Sequence, residues 1–325
     1  MLRNTTESEN LHRYGLAMYI VTIIAVTAFS FLASAQDIKQ RKFKSPEVAF
    51  NVLVEAAKNN DTNELLAIFG PEGKEIISSG DAVADTAARK RFVKAAGEAI
   101  KFSKLDDKTT LAVIGKDEWC FPIPLVKTGP EWAFSTAEGK EEIMNRRIGR
   151  NELNTIQVFL AYVAAQREYA GKDRNGDGIQ YAQHFLSRKG KKDGLYWEAT
   201  PEEEISPLGP LLARAAEEGY AFRKGEKPVP YHGYYFKILK RQGSNAPGGE
   251  LDYMVGGKMV GGFGLLAYPA EYGVSGIMTF VVNQQGIVYE KDLGAGTKEI
   301  AKATIKYDPD KTWKKVEHTS VGPAR

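Results

Sequence analysis

The chain has 325 residues, 43% of them hydrophobic, which is enough apolar material for two ordinary domains and too much for a disordered chain. Its 44 lysines and arginines against 41 aspartates and glutamates leave a formal charge of +3. That near balance excludes the dense basic face needed to hold a phosphate backbone, so no nucleic-acid partner is expected.

Arg3 and Arg13 precede an apolar run from Leu16 to Leu32, and Ala33-Ser34-Ala35 follows as a small-x-small site ahead of Gln36. The order reads as a signal peptide over residues 1–35, with export to the periplasm or the cell exterior. The run is also long enough to cross a bilayer, so an uncleaved N-terminal anchor is the alternative, and this segment is the expected contact with a membrane. Residues 36–44 (QDIKQRKFK) are polar, basic and without periodicity, and read as a solvated linker.

A first α+β domain is expected over 45–147. Ser45 suits an N-cap and Pro46 a first helical position, with Ala49, Val52, Leu53 and Ala56 at helical spacing. Asp61 and Glu64 form a capping-box pair for a short helix, Leu65 to Phe69, stopped by Gly70-Pro71. A further helix spans Asp85 to Ala99, followed by strands over Thr110–Ile114, Glu118–Val126 and Glu131–Phe134. Pro122 and Pro124 cannot donate to a ladder, which places the middle segment at an edge or makes it irregular. Cys120 alternates with Trp119, Phe121, Ile123 and Leu125 and is expected to be a small, half-buried residue rather than a reactive thiol. It is the chain's single cysteine, so no intramolecular disulfide can form. Helices followed by a small curved sheet resemble the NTF2-like and cystatin-like folds.

The second domain is expected over 148–325. The chain turns helical from Glu138, with Gly149 as a kink or break before a strong helix from Arg150 to Ala170. Leu153, Ile156, Leu160 and Val163 would form its buried stripe. After a loop-rich stretch, a short helix is expected over Leu211–Glu218. Strands follow at Gly233–Leu239, Gly261–Pro269, Gly276–Asn283 and Ile287–Leu293, the last two joined by a hairpin through Gln284-Gln285-Gly286. The economical fold is a long helix packed on a four-stranded antiparallel sheet.

The segments FPIPLVKTGPEWAFSTAEGKEEI, RRIGRNEL, YVAAQREYA, KDGLYW, SPLGPL, YHGYYFKIL and GGFGLLAYPAEYGVSGIMTFVVNQQGIVYEKDLG resemble an exported bacterial family, domain of unknown function 2950. That resemblance implies an exported protein and carries over no catalytic residue. RNELNTIQVFLAYVAAQREY, followed by an acidic loop and then GYYFKIL, LLAYP and TFVVNQQGIVYEK, is similar to the soluble region of type IV pilins and pseudopilins. There a helix with Asn-Glu, an apolar ladder and Ala-Gln-x-x-Tyr packs on a four-stranded meander. The N-terminal apolar segment departs from a prepilin: Ile20 stands where its glutamate would be, and a whole domain intervenes before Arg150. The resemblance therefore implies a pilin-like module reused for binding rather than assembly into a filament.

Candidate chemistry is sparse. In an EF-hand frame Asp173, Asn175 and Asp177 take positions 1, 3 and 5 and Gly178 the turn position, which suits calcium. His184 stands where the bidentate glutamate should be, so an intact EF-hand is excluded. A site built otherwise would bind calcium at about 0.1 to 1 mM, and the alternative is a metal-free turn made by Asn175-Gly176 and Asp177-Gly178. His184, His232 and His318 belong to no zinc pattern, and Ser275 lacks a nucleophile elbow. The acidic runs Glu141-Glu142 and Glu202-Glu203-Glu204 read as solvated faces. Tyr196, Trp197, Tyr231, His232, Tyr234 and Tyr235 are candidates for an aromatic surface that holds a glycan or peptide, with core packing as the alternative. The expectation is an exported, non-enzymatic protein that binds an envelope protein or glycan, or takes part in envelope assembly. Its alternatives are an envelope-polymer hydrolase and a small-ligand carrier using a pocket in the N-terminal domain.

Overall fold

The structure, a computed structural model, describes residues 39–200, 202–222 and 227–317. The expected signal peptide lies outside them, as do residues 36–38 of the expected linker. The rest of that linker is tied down. Phe43 is buried and exchanges two backbone hydrogen bonds with Trp132, both 2.8 Å, while the Gln40 amide donates to the carbonyls of Ile68 and Phe134. The expectation of a solvated linker fails at residues 40–43 because one aromatic side chain in the polar run finds a core.

Helix α1 (Pro46–Lys58) starts as expected, with the Ser45 hydroxyl accepting from the Val48 N–H and Pro46 in the first turn. Asp61 caps α2 (Thr62–Phe69). A 3-10 turn leads to the single turn α3 (Lys74–Ile77) and to α4 (Ala82–Glu98), which Asp81 caps. The first sheet contains β1 (Ile100–Lys104), β2 (Thr109–Ile114), β3 (Trp119–Cys120), β4 (Leu125–Thr128) and β5 (Glu131–Phe134), in the order β1-β2-β4-β5 with β3 attached to β2. Strand β1 had no counterpart among the expected strands, although Ile100 and Phe102 alternate with Lys101 and Ser103. The proline segment breaks the middle strand: β3 is two residues long and Cys120 is exposed, not half-buried. Phe121, Ile123 and Leu125 take the buried positions instead. The core of this half centres on Phe50, met edge-on by Phe92, Phe102 and Phe121 at 5.5–6.0 Å.

Helix α5 (Thr136–Tyr169) is continuous over 34 residues, so Gly149 neither kinks nor divides it. A solvent-facing glycine costs such a helix about 1 kcal/mol, which its packing absorbs. The helix therefore runs through the expected domain boundary at 147/148. Its buried face also differs from the expected stripe. Leu153 is 45% exposed, whereas Asn151, Thr155, Phe159, Tyr162 and Gln166 are buried. The polar side chains turned to the sheet, Asn151 buried and Glu152 half-buried, find backbone partners. Asn151 donates to the Ser275 carbonyl, and Glu152 accepts from the N–H groups of Ile277 and Met278 at 2.9 and 3.0 Å. Gln166 both accepts from and donates to the backbone of Ala182.

Next come α6 (Gly209–Glu217), β6 (Tyr234–Leu239) and two short ribbons, β7 (Arg241–Gln242) with β8 (Leu251–Asp252) and β9 (Met254–Val255) with β10 (Lys258–Met259). The second sheet is completed by β11 (Gly264–Pro269), β12 (Met278–Asn283), β13 (Tyr289–Asp292) and, after α7 (Thr297–Ala303), β14 (Lys314–Lys315). Its order is β14-β13-β12-β11-β6, all antiparallel, so the four expected strands form it and β14 adds a fifth. The C-terminal part of α5 packs on one face through Phe159, Tyr162 and Val163 against Leu265, Phe280 and Val282. The other face holds Ala301 of α7 and, beyond that helix, Tyr307 against Leu266 and Val281. The chain is thus a mixed α+β protein with seven α-helices among the described residues.

Gly276 marks where helix, sheet and turn meet most closely, because a Cβ there would stand 2.0 Å from the Tyr234 hydroxyl. Replacing Glu152 by alanine strands two inward N–H groups, so it is expected to lower unfolding free energy in urea by about 2 kcal/mol. Glu152→Gln, which keeps one acceptor, is expected to lose less. Equal losses would show that the side chain acts through packing alone.

Candidate functional site

Beside β6 lies a cavity of about 440 Å³. Val158 of α5, Leu211, Leu212 and Ala215 of α6, and Phe236 and Ile238 of β6 give it apolar walls. Helix α6 begins at a proline and turns its leucines to this space while Arg214 faces Glu218 at 3.1 Å on its outer side. Gln183, His184 and Lys227 supply polar groups to the lining. A space of this size and character suits a small molecule or a few side chains.

One wall is fixed by a buried polar knot. Asp81 is 1% exposed, and its carboxylate accepts from the Ala84 N–H at 3.0 Å, the Tyr220 hydroxyl at 2.9 Å and the Gly233 N–H at 2.8 Å. It thereby joins the start of α4 to Tyr220 and to Gly233, both close to the cavity's aromatic side. Burial, then the adjacent Asp81 charge, push the Tyr220 phenol far above its ordinary range, so it remains a donor. Tyr220, Phe222 and Tyr231 pack ring to ring at 4.8–6.0 Å. His232 adopts a left-handed conformation (φ 49°), and its Nε2 lies 3.0 Å from Glu218 Oε2. Burial pushes the imidazole below its ordinary value, against the pull of Glu218 and Asp81, with Arg214 and Arg150 adding to the depression. None of these partners was legible beforehand: the only signal was Asp81 before a helical pattern, which announces a cap and not a contact with residue 233.

The acidic loop is a helix terminus. Asp173 Oδ1 accepts from the N–H groups of Asn175, Gly176 and Asp177, and Oδ2 from that of Gly178, at 2.8–3.2 Å. Those bonds, led by Gly178, hold its carboxyl below the usual range. Asp177 Oδ1 accepts from Gln180, and the Asn175 amide donates to the Tyr169 hydroxyl. Arg174, its side chain 3% exposed, donates to the Tyr169 carbonyl at the end of α5, bonds Glu204 at 3.0 Å and lies between the rings of Tyr169 and Trp197. A cation at a helix C-terminus meets the negative end of the macrodipole. The expected ligands Asp173, Asn175 and Asp177 thus have separate hydrogen-bond partners in the loop: four backbone N–H groups, the Tyr169 hydroxyl and the Gln180 amide. Among the described residues no three His, Cys, Asp or Glu side chains are grouped to hold a metal.

The six aromatic candidates do not share a surface. Tyr234 is fully buried and donates to the Met278 carbonyl; Trp197 is buried and donates to the Glu204 carbonyl. Tyr196 packs on the main core. Tyr231 and Tyr235 line the cavity, and His232 belongs to the knot behind it. His184 lines the cavity too, and His318 lies outside the described residues. Glu141 and Glu142 are exposed, whereas Glu204 is engaged by Lys172 and Arg174.

The model of a family described as protein of unknown function (DUF2950) matches residues 40–316. The chain belongs to the DUF2950 family. The match spans α1 to β14, so the cavity, the knot and the acidic loop all fall inside the DUF2950 region. No curated protein and no solved structure matches the chain.

Two outcomes are expected. Asp173→Ala removes the acceptor for four N–H groups and lowers the thermal midpoint equally in EDTA and in millimolar calcium. A midpoint that rises with calcium in the unmutated protein alone would instead establish a metal site. His232→Asn keeps a residue that tolerates positive φ and removes the imidazole. Because the folded imidazole binds its proton less readily than the unfolded one, the unmutated protein keeps this contribution above the ordinary value near 6.5 and loses it as pH falls below that. Midpoints of the two proteins measured from pH 8 to 5 should therefore draw together, or cross, toward the acid end.

Proposed function

We infer that this DUF2950 protein is an exported binding protein and that its 440 Å³ cavity takes an apolar group. The observation that carries this reading is the cavity itself: leucine, valine and phenylalanine walls on helices and a strand, with polar side chains grouped at Gln183, His184 and Lys227. Apolar surface left open to water is unfavourable, and covering it supplies the affinity of such a site. This reading takes the cavity in the C-terminal half, rather than the expected pocket in the N-terminal domain, as the ligand site. Export rests on the Arg3 to Ala35 pattern. A long helix on an antiparallel sheet accords with a pilin-like module reused for binding.

The buried carboxylates favour binding over hydrolysis. Asp81 accepts three hydrogen bonds, Asp85 accepts from the N–H and hydroxyl of Ser79, and Glu152 accepts from two backbone N–H groups. Each is engaged by donors, and among the described residues no Asp or Glu lines the cavity. No helix among the described residues is long and apolar enough to cross a membrane.

The test is fluorescence titration with 1-anilinonaphthalene-8-sulfonate, a small apolar anion. Saturable binding is expected in the unmutated protein, and Ala215→Trp, which fills the cavity from α6, should weaken it about tenfold or more while the thermal midpoint stays within a few degrees. Equal binding by the filled variant would overturn the reading.

A further inference from the structure

Strand β6 is an edge. Within the second sheet it pairs with β11 and with no other strand. In an antiparallel pair, successive residues turn their N–H and C=O groups alternately toward and away from the partner strand. Tyr234 exchanges both groups with Tyr231 at 2.8 and 3.1 Å, which fixes that position as one turned away from β11. Lys240, six residues on, gives its carbonyl to the Tyr253 N–H at 3.1 Å and has the same sense. Phe236 and Ile238 lie between them with the same parity. Their N–H and C=O groups therefore turn away from β11, and these four groups make no hydrogen bond among the described residues.

Both residues also line the apolar cavity. A small amphiphile would cover the walls and leave the four backbone groups unmatched, whereas a ligand with peptide groups satisfies both. The charge of the neighbouring space narrows the choice further. Ile238 borders a second cavity, of about 340 Å³, lined by Lys237, Lys240 and Arg241 against a single carboxylate, Asp252. Lys237 spends its ammonium group on the carbonyls of Lys302 and Thr304, and Arg241 lies 3.4 Å from Asp252. Lys240 donates to the neutral Gln183 side chain and forms no ion pair among the described residues.

We propose that β6 receives an extended peptide as an added strand, paired through Phe236 and Ile238, with apolar side chains entering the larger cavity and an acidic side chain directed to Lys240. The proposal rests on the reading of the cavity as a binding site and names its ligand class. Tyr231 and Tyr253 already occupy the two ends of the edge, so the paired stretch is short, about four or five residues. The partner is accordingly a segment of a protein rather than a whole subunit face.

The experiment is selection of the purified protein against a randomised hexapeptide library, followed by affinity measurement on the enriched peptides. Enrichment of apolar residues at alternate positions with Asp or Glu nearby is expected, as is new hydrogen-exchange protection at the amides of Phe236 and Ile238. Methylating the peptide nitrogens that face β6 should weaken binding about tenfold or more, since two hydrogen bonds are lost. Ile238→Pro removes an outward N–H that the sheet does not use, so it should abolish peptide binding while the far-ultraviolet circular dichroism of the fold is retained. No enrichment, methylated peptides that bind within twofold, or protection that appears with protein concentration alone, as in pairing of two copies through β6, would each overturn strand addition. If the dye still binds saturably in those cases, the cavity reading survives without it. If Ala215→Trp leaves dye binding unchanged, the cavity reading itself has failed.

Discussion

The structure depends on one constraint, that backbone groups removed from water must be paired, and helix α5 meets it with side chains. Asn151 and Glu152 take the backbone groups of Ser275, Ile277 and Met278 at the start of β12. About four turns further on, Gln166 takes those of Ala182, and Tyr169 donates to the Lys192 carbonyl. The helix is thus fixed along its axis at two heights, first to the sheet and then to the long loop before α6. A helix held by leucines alone could slide or rotate by a few degrees; one whose amides and carboxylate address named backbone atoms has a single register.

Asp81 applies the same rule away from α5. It draws together the start of α4, Tyr220 just beyond α6 and Gly233 just before β6. Both ends of the cavity's aromatic wall are therefore fixed, and the rings of Tyr220, Phe222 and Tyr231 stand on that base. Since the same carboxylate caps α4, a change in the helical half of the chain is felt at the wall. His232 sits where this coupling would register pH, with Glu218 and Asp81 drawing its proton in and burial driving it out.

Much of the architecture was legible because it rests on local rules. Ser45, Pro46 and Asp61 announce helix starts, and the strands around Phe236, Leu265 and Phe280 show in their β-branched and aromatic runs. Position on the helix was not legible. Leucine spacing selected Leu153 for the core, yet the helix turns it outward because Asn151 and Gln166 have partners 124 and 16 residues away. Those partners exist only after the chain has folded. The loop at Asp173 shows the same limit, since a calcium loop and a nest of backbone N–H groups ask for the same acidic and glycine residues. Arg174, held beside that loop between the rings of Tyr169 and Trp197, leaves no periodic trace either. The cavity was legible least of all, being assembled from four separate stretches of chain.

An open strand edge is a hazard that proteins cover or blunt, because unpaired N–H and C=O groups template association. Here the cover is partial. Tyr231 and Tyr253 close the two ends of β6, while α6 and its leucines stand across the apolar space from the middle. A simple defence would place a charged side chain or a proline at residues 236 and 238; the sequence has Phe and Ile there instead. Those residues forgo protection for a surface that is apolar and hydrogen-bonding at once. Such a combination stays soluble when it is recessed, since a second sheet cannot reach into a cavity that admits only a few residues. Under the proposed strand addition, recession leaves the edge open to a narrow chain while closing it to aggregation, and it would tie affinity to the same Asp81 knot that holds Tyr220 and Gly233.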